Sequence, residues 1–252
     1  MKAAILSDIH GNLEALQAVM DDIVKQGVQY VYCLGDIISY GPDPVSCLRV
    51  AQTFNLSLLG NHEEAVIKNE DNFSPSASKA AAWTRKVLSL PNNKHFLSYL
   101  RTLPKKFETG NSLLVHGSPI DTQNQYLIPE QLYSPTHLII FKVNFAHVKH
   151  VCFFGHTHRP GMFVLDDKTG SIFFLDPTYN DPMRIDSNDK YMINPGSVGQ
   201  PRDKDPRACY LIVEKGHVLW RRIPYNNVQT KNKILTIPEL DDYLGYRLLS
   251  GS

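Results

Sequence analysis

The first sixty residues alternate short apolar runs, at 2–6, 30–35 and 56–60, with stretches of helical period at 12–26 and 43–54. Alternation of this kind predicts βαβ units and a layered α/β core, because consecutive parallel strands need a crossover long enough to hold a helix. In the first helical stretch Leu13, Leu16, Ala18, Val19, Ile23 and Val24 recur at three- and four-residue spacing, with Glu14, Gln17, Asp21, Asp22 and Lys25 on the other side. That is the pattern of an amphipathic helix laid on a sheet.

From 63 to about 111 the pattern turns helical and loop-like, with helices expected at 76–89 and 93–103, and it reads as a helical cap or insertion over the core. The second half is strand-rich. Apolar runs at 112–117, 150–155, 161–167, 171–176, 191–196, 208–214 and 217–223 include two pairs joined by the turn sequences Lys168-Thr169-Gly170 and Lys215-Gly216. One helix, at 135–148, interrupts them, and a terminal helix at 238–248 carries no recognisable chemistry. The expectation is a single domain over residues 1–252.

Composition removes several function classes. A net charge of +1 provides no basic field to neutralise a nucleic-acid backbone, so no nucleic-acid polymer is expected as partner. No run is apolar and long enough to cross a bilayer, and no leader precedes Ser7-Asp8, so the expected location is cytoplasmic, without a membrane partner. Cys33, Cys47, Cys152 and Cys209 stand singly without CxxC spacing, three of them in apolar runs, and read as buried free thiols.

The chemistry collects where strands end. Asp8 and His10 follow the first apolar run and Asp36 the second, while Asn61 and His62 follow the third. Later runs lead into His116 and into Gly155-His156-Thr157-His158. Loops leaving the carboxyl ends of strands gather on one edge of an open sheet, so groups remote in sequence converge there. Residues i and i+2 of extended chain point the same way, so Asp8 with His10, and His156 with His158, are expected to present two ligands to one side.

Asp, Asn and His form a mixed oxygen and nitrogen donor set that suits manganese, iron or zinc better than calcium or magnesium. Asp8, His10, Asp36, Asn61, His116, His156 and His158 are too many for one tetrahedral ion. They suffice for two ions about 3.5–4 Å apart if one carboxylate bridges. Taken singly each motif has a bland reading: Gly-Asp is a common turn, and Asn61 can simply cap the helix beginning "HEEAVIK".

Taken in order, "DIH", "GDIISYGPDP", "GNHE", "VHG" and "GHTH" resemble the calcineurin-like metallophosphoesterase superfamily, and "NPGSVGQPRDKDPRACY" resembles its bacterial and archaeal small-phosphodiesterase branch. The resemblance implies a four-layer α-β-β-α sandwich of two mixed β-sheets flanked by helices. It implies that Asp8, His10 and His158 hold one metal and Asn61, His116 and His156 a second, with Asp36 bridging. It also implies hydrolysis of a small phosphodiester or nucleotide-type substrate by attack of a hydroxide between the ions, with His62 stabilising charge or protonating the leaving oxygen. Where the family usually has aspartate after that histidine, this chain has Glu63, one methylene longer.

Around this set, Arg159 and Arg202 are candidate phosphate contacts or surface ion pairs. Tyr40 is a candidate to stack on a substrate ring or to pack on the Pro42-Asp43-Pro44 turn. The loop from Asn194 to Gly199 either approaches a phosphate with its amides or joins the sheets. His95, His137, His147, His150 and His217 lack partner spacing and read as surface or packing residues. The alternative activities are phosphomonoesterase and dinucleoside polyphosphate hydrolase, and the non-enzymatic alternative is a partner-binding scaffold. Scaffold relatives lose the catalytic histidine, whereas His62 is present here, and Ile37-Ile38-Ser39-Tyr40 departs from the Asp-Arg-Gly continuation of protein Ser/Thr phosphatases.

Overall fold

The computed structural model describes residues 2–69 and 73–252. Two six-stranded sheets form its centre. The first runs β3 (Leu56–Ser57), β2 (Tyr30–Cys33), β1 (Lys2–Leu6), β11 (Ala208–Glu214), β12 (His217–Ile223), β9 (Met183–Arg184), with β1, β2 and β3 parallel. The second runs β4 (Lys106–Thr109), β5 (Ser112–Val115), β6 (Val151–Phe153), β10 (Lys190–Asn194), β7 (Gly161–Leu165), β8 (Ile172–Leu175), with β5, β6 and β10 parallel. Both sheets are mixed.

The pleat sorts the side chains into layers. Ile5, Cys209 and Leu211 turn inward with Val151, Phe153, Tyr191, Ile193 and Trp220 to form the core between the sheets. Their neighbours Ala4, Leu6, Tyr210 and Ile212 face outward beneath α1 (Leu13–Lys25), α2 (Pro44–Ala51), α4 (Pro75–Leu88) and α5 (Lys94–Leu100). On the far side Cys152, Phe154, Phe163 and Met192 pack under Phe141 and Phe145 of α6 (Pro135–Ala146). The result is the four-layer sandwich expected from the sequence.

Several elements depart from expectation. Val24 is 76% exposed, so the buried stripe of α1 consists of Ala15, Leu16, Val19 and Ile23. The stretch 63–111 is not helical to its end: residues 106–109 pair antiparallel with β5, and α4 and α5 lie in the outer layer. Its residues 70–72 lie outside the described residues. The expected terminal helix at 238–248 is shorter, α8 (Asp242–Tyr246) with a 3-10 turn at Arg247–Leu249, and it is preceded by α7 (Asn227–Leu235), which the polar Asn-Lys composition concealed. Ile234, Leu240, Leu244 and Leu248 of this segment pack on Ala80 of α4 and on Tyr40. The two hairpin turns are where the sequence puts them, Lys215 and Gly216 both having positive φ, as the tight right-twisting turn requires. All four cysteines are buried free thiols.

Candidate metal centre

All the singled-out ligand residues sit at carboxyl ends of strands. Asp8 and His10 follow β1 and Asp36 follows β2; Asn61 and His62 open α3 (Asn61–Lys68) after β3; His116 follows β5; His156 and His158 follow β6. Every one of these side chains is buried.

The paired ligands do not lie on extended chain. Asp8, His10, His156 and His158 have φ of 56°, 48°, 64° and 58°, and Asp36 has 55°, all in the left-handed region. Asp and His tolerate that region better than most residues, and each instance costs on the order of 1–3 kcal/mol. The curl is held by hydrogen bonds that continue the β1–β2 ladder past its end, from the amides of Asp8, His10 and Gly11 to the carbonyls of Gly35, Asp36 and Ile37 (3.1, 2.9 and 2.8 Å).

The histidine rings are oriented from behind. Nδ1 of His10, His116 and His158 lies 3.2, 3.1 and 2.6 Å from the carbonyl oxygens of Ile38, Leu34 and Gln200. A carbonyl only accepts, so each Nδ1 donates, and in the neutral ring each Nε2 is left with a lone pair. The Nε2 atoms of His10 and His158 then face each other at 3.2 Å, and His116 Nε2 faces the Asn61 carboxamide oxygen at 2.9 Å and Asp36 Oδ2 at 3.2 Å. Asp8 Oδ1, 3.3 Å from His158 Nε2, accepts no hydrogen bond. The converging lone pairs of His10 and His158 with the Asp8 carboxylate oxygen are stabilised by a cation, as is the Asp36 carboxylate, which His116 otherwise meets as a proton donor. His156 is turned the other way, Nε2 donating to the Asn124 carbonyl at 3.1 Å and Nδ1 left free.

Two groups can hold an ion. The donor atoms of Asp8, His10 and His158 lie within 4.8 Å of one another, as do those of Asp36, His116 and His156. Asp36 also groups with His10 and His62, so its carboxylate stands between the two clusters.

Without a cation the charges arrange themselves around Asp36. Burial opposes charge on His116, but the Asp36 carboxylate, with Asp8 and Glu63 behind it, overrides this and raises His116 to about 9. Burial likewise pushes Asp36 upward, and His116, His62 and His10 outweigh it, holding Asp36 well below the usual carboxylate range. Burial raises Asp8 to about 7, lowers His62 to about 4 and His156 to about 3, and holds His10 and His158 well below the ordinary imidazole value. Neutral imidazole is the form that ligates metal.

Residues 1–216 match the family model of the calcineurin-like phosphoesterase superfamily domain. The chain belongs to the calcineurin-like phosphoesterase superfamily. A metallophosphoesterase from Sphaerobacter thermophilus has 34% identity and superposes with a TM-score of 0.85 over 100% of this chain and 99% of its own. An uncharacterized protein of Methanocaldococcus jannaschii is 32% identical over 98% of this chain and 97% of its own. The Escherichia coli phosphodiesterase YfcE is 24% identical over 84% of this chain and 87% of its own.

Beside this candidate centre, Glu63 has a role of its own. Its carboxylate is fully buried and does not orient His62. Oε2 accepts from the amides of Asp36 and Gly60 (2.7 and 2.9 Å), and Oε1 from those of Ile37 and Ile38 (2.8 and 3.1 Å). The extra methylene over aspartate lets one side chain tie the Asp36 loop to the start of α3. The helix cap is Gly60, not Asn61, whose side chain turns to His116.

The loop from Asn194 to Gly199 braces the centre. Asn194 Nδ2 donates to the Gly155 carbonyl and Thr157 Oγ1, and Ser197 Oγ and the Gly199 amide both donate to the Asp8 carbonyl. It thereby ties the ligand loop of one sheet to that of the other.

A cavity of about 450 Å³ opens over the centre, lined by Asp36, Asn61, His62, His156 and His158 and by Tyr40, Phe73, Tyr126, Arg202 and Arg247. His62 is held between rings, 4.6 Å from Tyr40 and 4.8 Å from Phe73, with Nδ1 buried and unpartnered. Tyr40 has one side on His10 and His62 and another on the C-terminal apolar cluster. Arg202 lies on the cavity wall, donating to Tyr126 and Gln200. Arg159 does not; it forms a bidentate pair with Glu130 and lines an adjoining cavity. His95, His137, His147, His150 and His217 are all outside the site, and none is buried. Sequence reasoning missed the cavity residues Phe73, Tyr126 and Arg247, the last in the segment expected to carry no chemistry. No motif marks Arg247, and only the packing of α7 and α8 brings it to the wall.

Proposed function

We propose that this chain is a dinuclear metal-dependent hydrolase of small phosphoesters, a phosphodiesterase on nucleotide-type substrates in the first instance. Asp8, His10 and His158 would hold one ion and Asn61, His116 and His156 the other, with Asp36 shared between them, and manganese, iron or zinc are the ions the donor set favours. The observation that carries this reading is the pair of neighbouring clusters, Asp8-His10-His158 and Asp36-His116-His156, with Asp36 Oδ2 3.7 Å from His10 Nε2 and the His10 and His158 Nε2 atoms facing each other at 3.2 Å.

The ions, when bound, neutralise phosphoryl oxygens and lower the pKa of water to about 7. The protein contributes orientation. Backbone carbonyls lock the ligand imidazoles in one tautomer, and the amide of His62 fixes Asp36 by donating to Oδ1 at 3.0 Å. His62, neutral at pH 7, offers an N–H to an oxygen of the substrate, and the approach of an anionic phosphate raises its proton affinity toward that of a general acid. The rings of Tyr40, Phe73 and Tyr126 give the cavity walls on which an organic substituent can stack.

Reconstitution with manganese followed by metal analysis should give two ions per chain, and the loaded protein should hydrolyse bis-p-nitrophenyl phosphate. Asp36→Asn should lose both turnover and the second ion. Fewer than two ions per wild-type chain sinks the dinuclear reading, and failure to hydrolyse any phosphoester sinks the enzymatic one.

A further inference from the structure

We infer that Arg202 and Arg247 form a second anion subsite, which takes a non-scissile phosphate of a substrate containing a phosphoanhydride. The inference rests on the phosphohydrolase reading for its setting, but on other residues for its substance. Arg247 lies beyond the residues 1–216 that the family model matches.

Both guanidinium groups lie on the wall of the 450 Å³ cavity and donate to the same atom, Gln200 Oε1, at 2.9 and 3.1 Å. The backbone carbonyl of that buried glutamine in turn receives Nδ1 of His158, so the pair is keyed to the metal centre. Four arginines have acids, Arg159 with Glu130, Arg207 with Asp205, Arg221 with Asp22 and Arg222 with Asp203, while Arg85 and Arg101 donate to backbone carbonyls away from the cavity. Among the described residues no Asp or Glu side chain pairs with Arg202 or Arg247; the Arg247 Nε donates to the main-chain oxygen of Ser252, leaving its terminal nitrogens to Gln200 and the cavity. Two half-buried cations converging on one neutral oxygen repel each other, and an anion between them relieves the repulsion. Arg202 Nε is, in addition, buried without any hydrogen-bond partner.

The arginines are held in advance of ligand. Leu244 and Leu248 anchor the segment around Arg247 in the apolar cluster, the Asn227 side chain donates to the Leu248 carbonyl at 3.1 Å, and the Lys204 amide to that of Gly251 at 2.8 Å. A simple diester has one anionic phosphate, which the metal centre itself neutralises. A second, pre-formed cationic site in the same cavity fits a second phosphate on the same molecule. Arg202 also lines the adjoining cavity of about 630 Å³, which offers Phe174 and Tyr179 to the remainder of such a substrate. In the reaction water oxygen bonds to the phosphorus at the metal centre and the anhydride P–O bond breaks, its electron pair leaving with the phosphate held by the arginines. One proton of the water goes to that leaving phosphate and the other to solvent.

The test compares kcat/KM of the manganese-loaded protein for diadenosine tetraphosphate and for bis-p-nitrophenyl phosphate, and measures binding of inorganic tripolyphosphate to chelator-treated protein by calorimetry. In Arg247→Ala the ratio of the two kcat/KM values should fall about 10- to 100-fold and the tripolyphosphate Kd should rise about tenfold or more, each lost charged contact acting through both readouts. Arg247→Lys should recover part of each, and the melting temperatures should establish that the variants fold. A ratio that moves less than about twofold, or wild-type protein that binds no tripolyphosphate, overturns the subsite. Should neither ester be hydrolysed, the hydrolase reading falls, and the tripolyphosphate binding of wild type against Arg247→Ala still decides the subsite.

Discussion

Glu63→Gln is the substitution that most directly separates the scaffold of the candidate metal centre from its donor residues. The wild-type carboxylate presents two oxygens to four backbone amides, those of Asp36 and Gly60 on Oε2 and of Ile37 and Ile38 on Oε1. Glutamine has the same shape but one oxygen, so two buried N–H donors would face an NH2 group. Each buried donor left without an acceptor costs about 1–3 kcal/mol, or about 2–6 kcal/mol for the pair. Part of this is offset, because burial and the neighbouring Asp36 penalise the wild-type carboxylate and raise its pKa to about 7. A net loss of about 2–4 kcal/mol corresponds to about 5–15 °C in melting temperature for a chain of this size. Calorimetry measures the shift, and amide exchange should locate it, with faster exchange at Asp36, Ile37 and Ile38 than at the distant strands β7 and β10. A Glu63→Gln protein that melts within about 1 °C of wild type, with these amides still protected, would refute the bracing role.

Three further outcomes are expected. His62→Ala should lower kcat for a phosphodiester by about 10²–10³ while metal content stays at the wild-type level, and wild-type turnover would remove His62 from catalysis. Chelator-treated protein should lose thermal stability as pH rises from 6.5 to 9. The fold raises His116 from 6.5 to about 9, so its contribution is complete below 6.5 and is lost as pH rises through 9, while Asp8 and Glu63, raised from 3.8 and 4.5 to about 7, add a fall of the same sign that ends near pH 7. Added manganese should flatten that dependence, since ligation uses neutral imidazole, and a melting temperature that is level or rising without metal would contradict the charge arrangement. Gly199→Ala would place a Cβ 1.7 Å from the Ile9 carbonyl oxygen, forcing apart the braced loop and the Asp8–His10 turn. A loss of at least about 1–3 kcal/mol is expected in denaturant titration, and an unchanged midpoint would show that the brace yields freely.

Much of the centre was legible because its donors follow apolar runs that announce themselves by composition. The order Asp8, His10, Asp36, Asn61, His62, His116, His156, His158 needs only the rule that carboxyl ends of parallel strands share an edge, and the three parallel strands of each sheet obey it. The route by which the paired ligands turn inward was not legible. Extended geometry predicts the same side for i and i+2, but the left-handed backbone at Asp8, His10, His156 and His158 depends on cross-loop hydrogen bonds to Gly35, Asp36, Asp8 and the 194–199 loop, whose partners are remote in sequence.

By itself the sequence determined the layered architecture, the inventory of candidate donors at the strand ends and the buried thiols, since hydrophobic period and residue chemistry are local properties that survive without coordinates. Tertiary structure alone decided that Glu63 braces the Asp36 loop instead of steering His62, that Arg159 is spent on Glu130, and that Arg247 reaches the cavity. The physical reason is the same in each case. A charged side chain takes its role from whichever partner burial brings within about 3 Å, and that partner is chosen by packing across the whole chain, not by its neighbours in sequence.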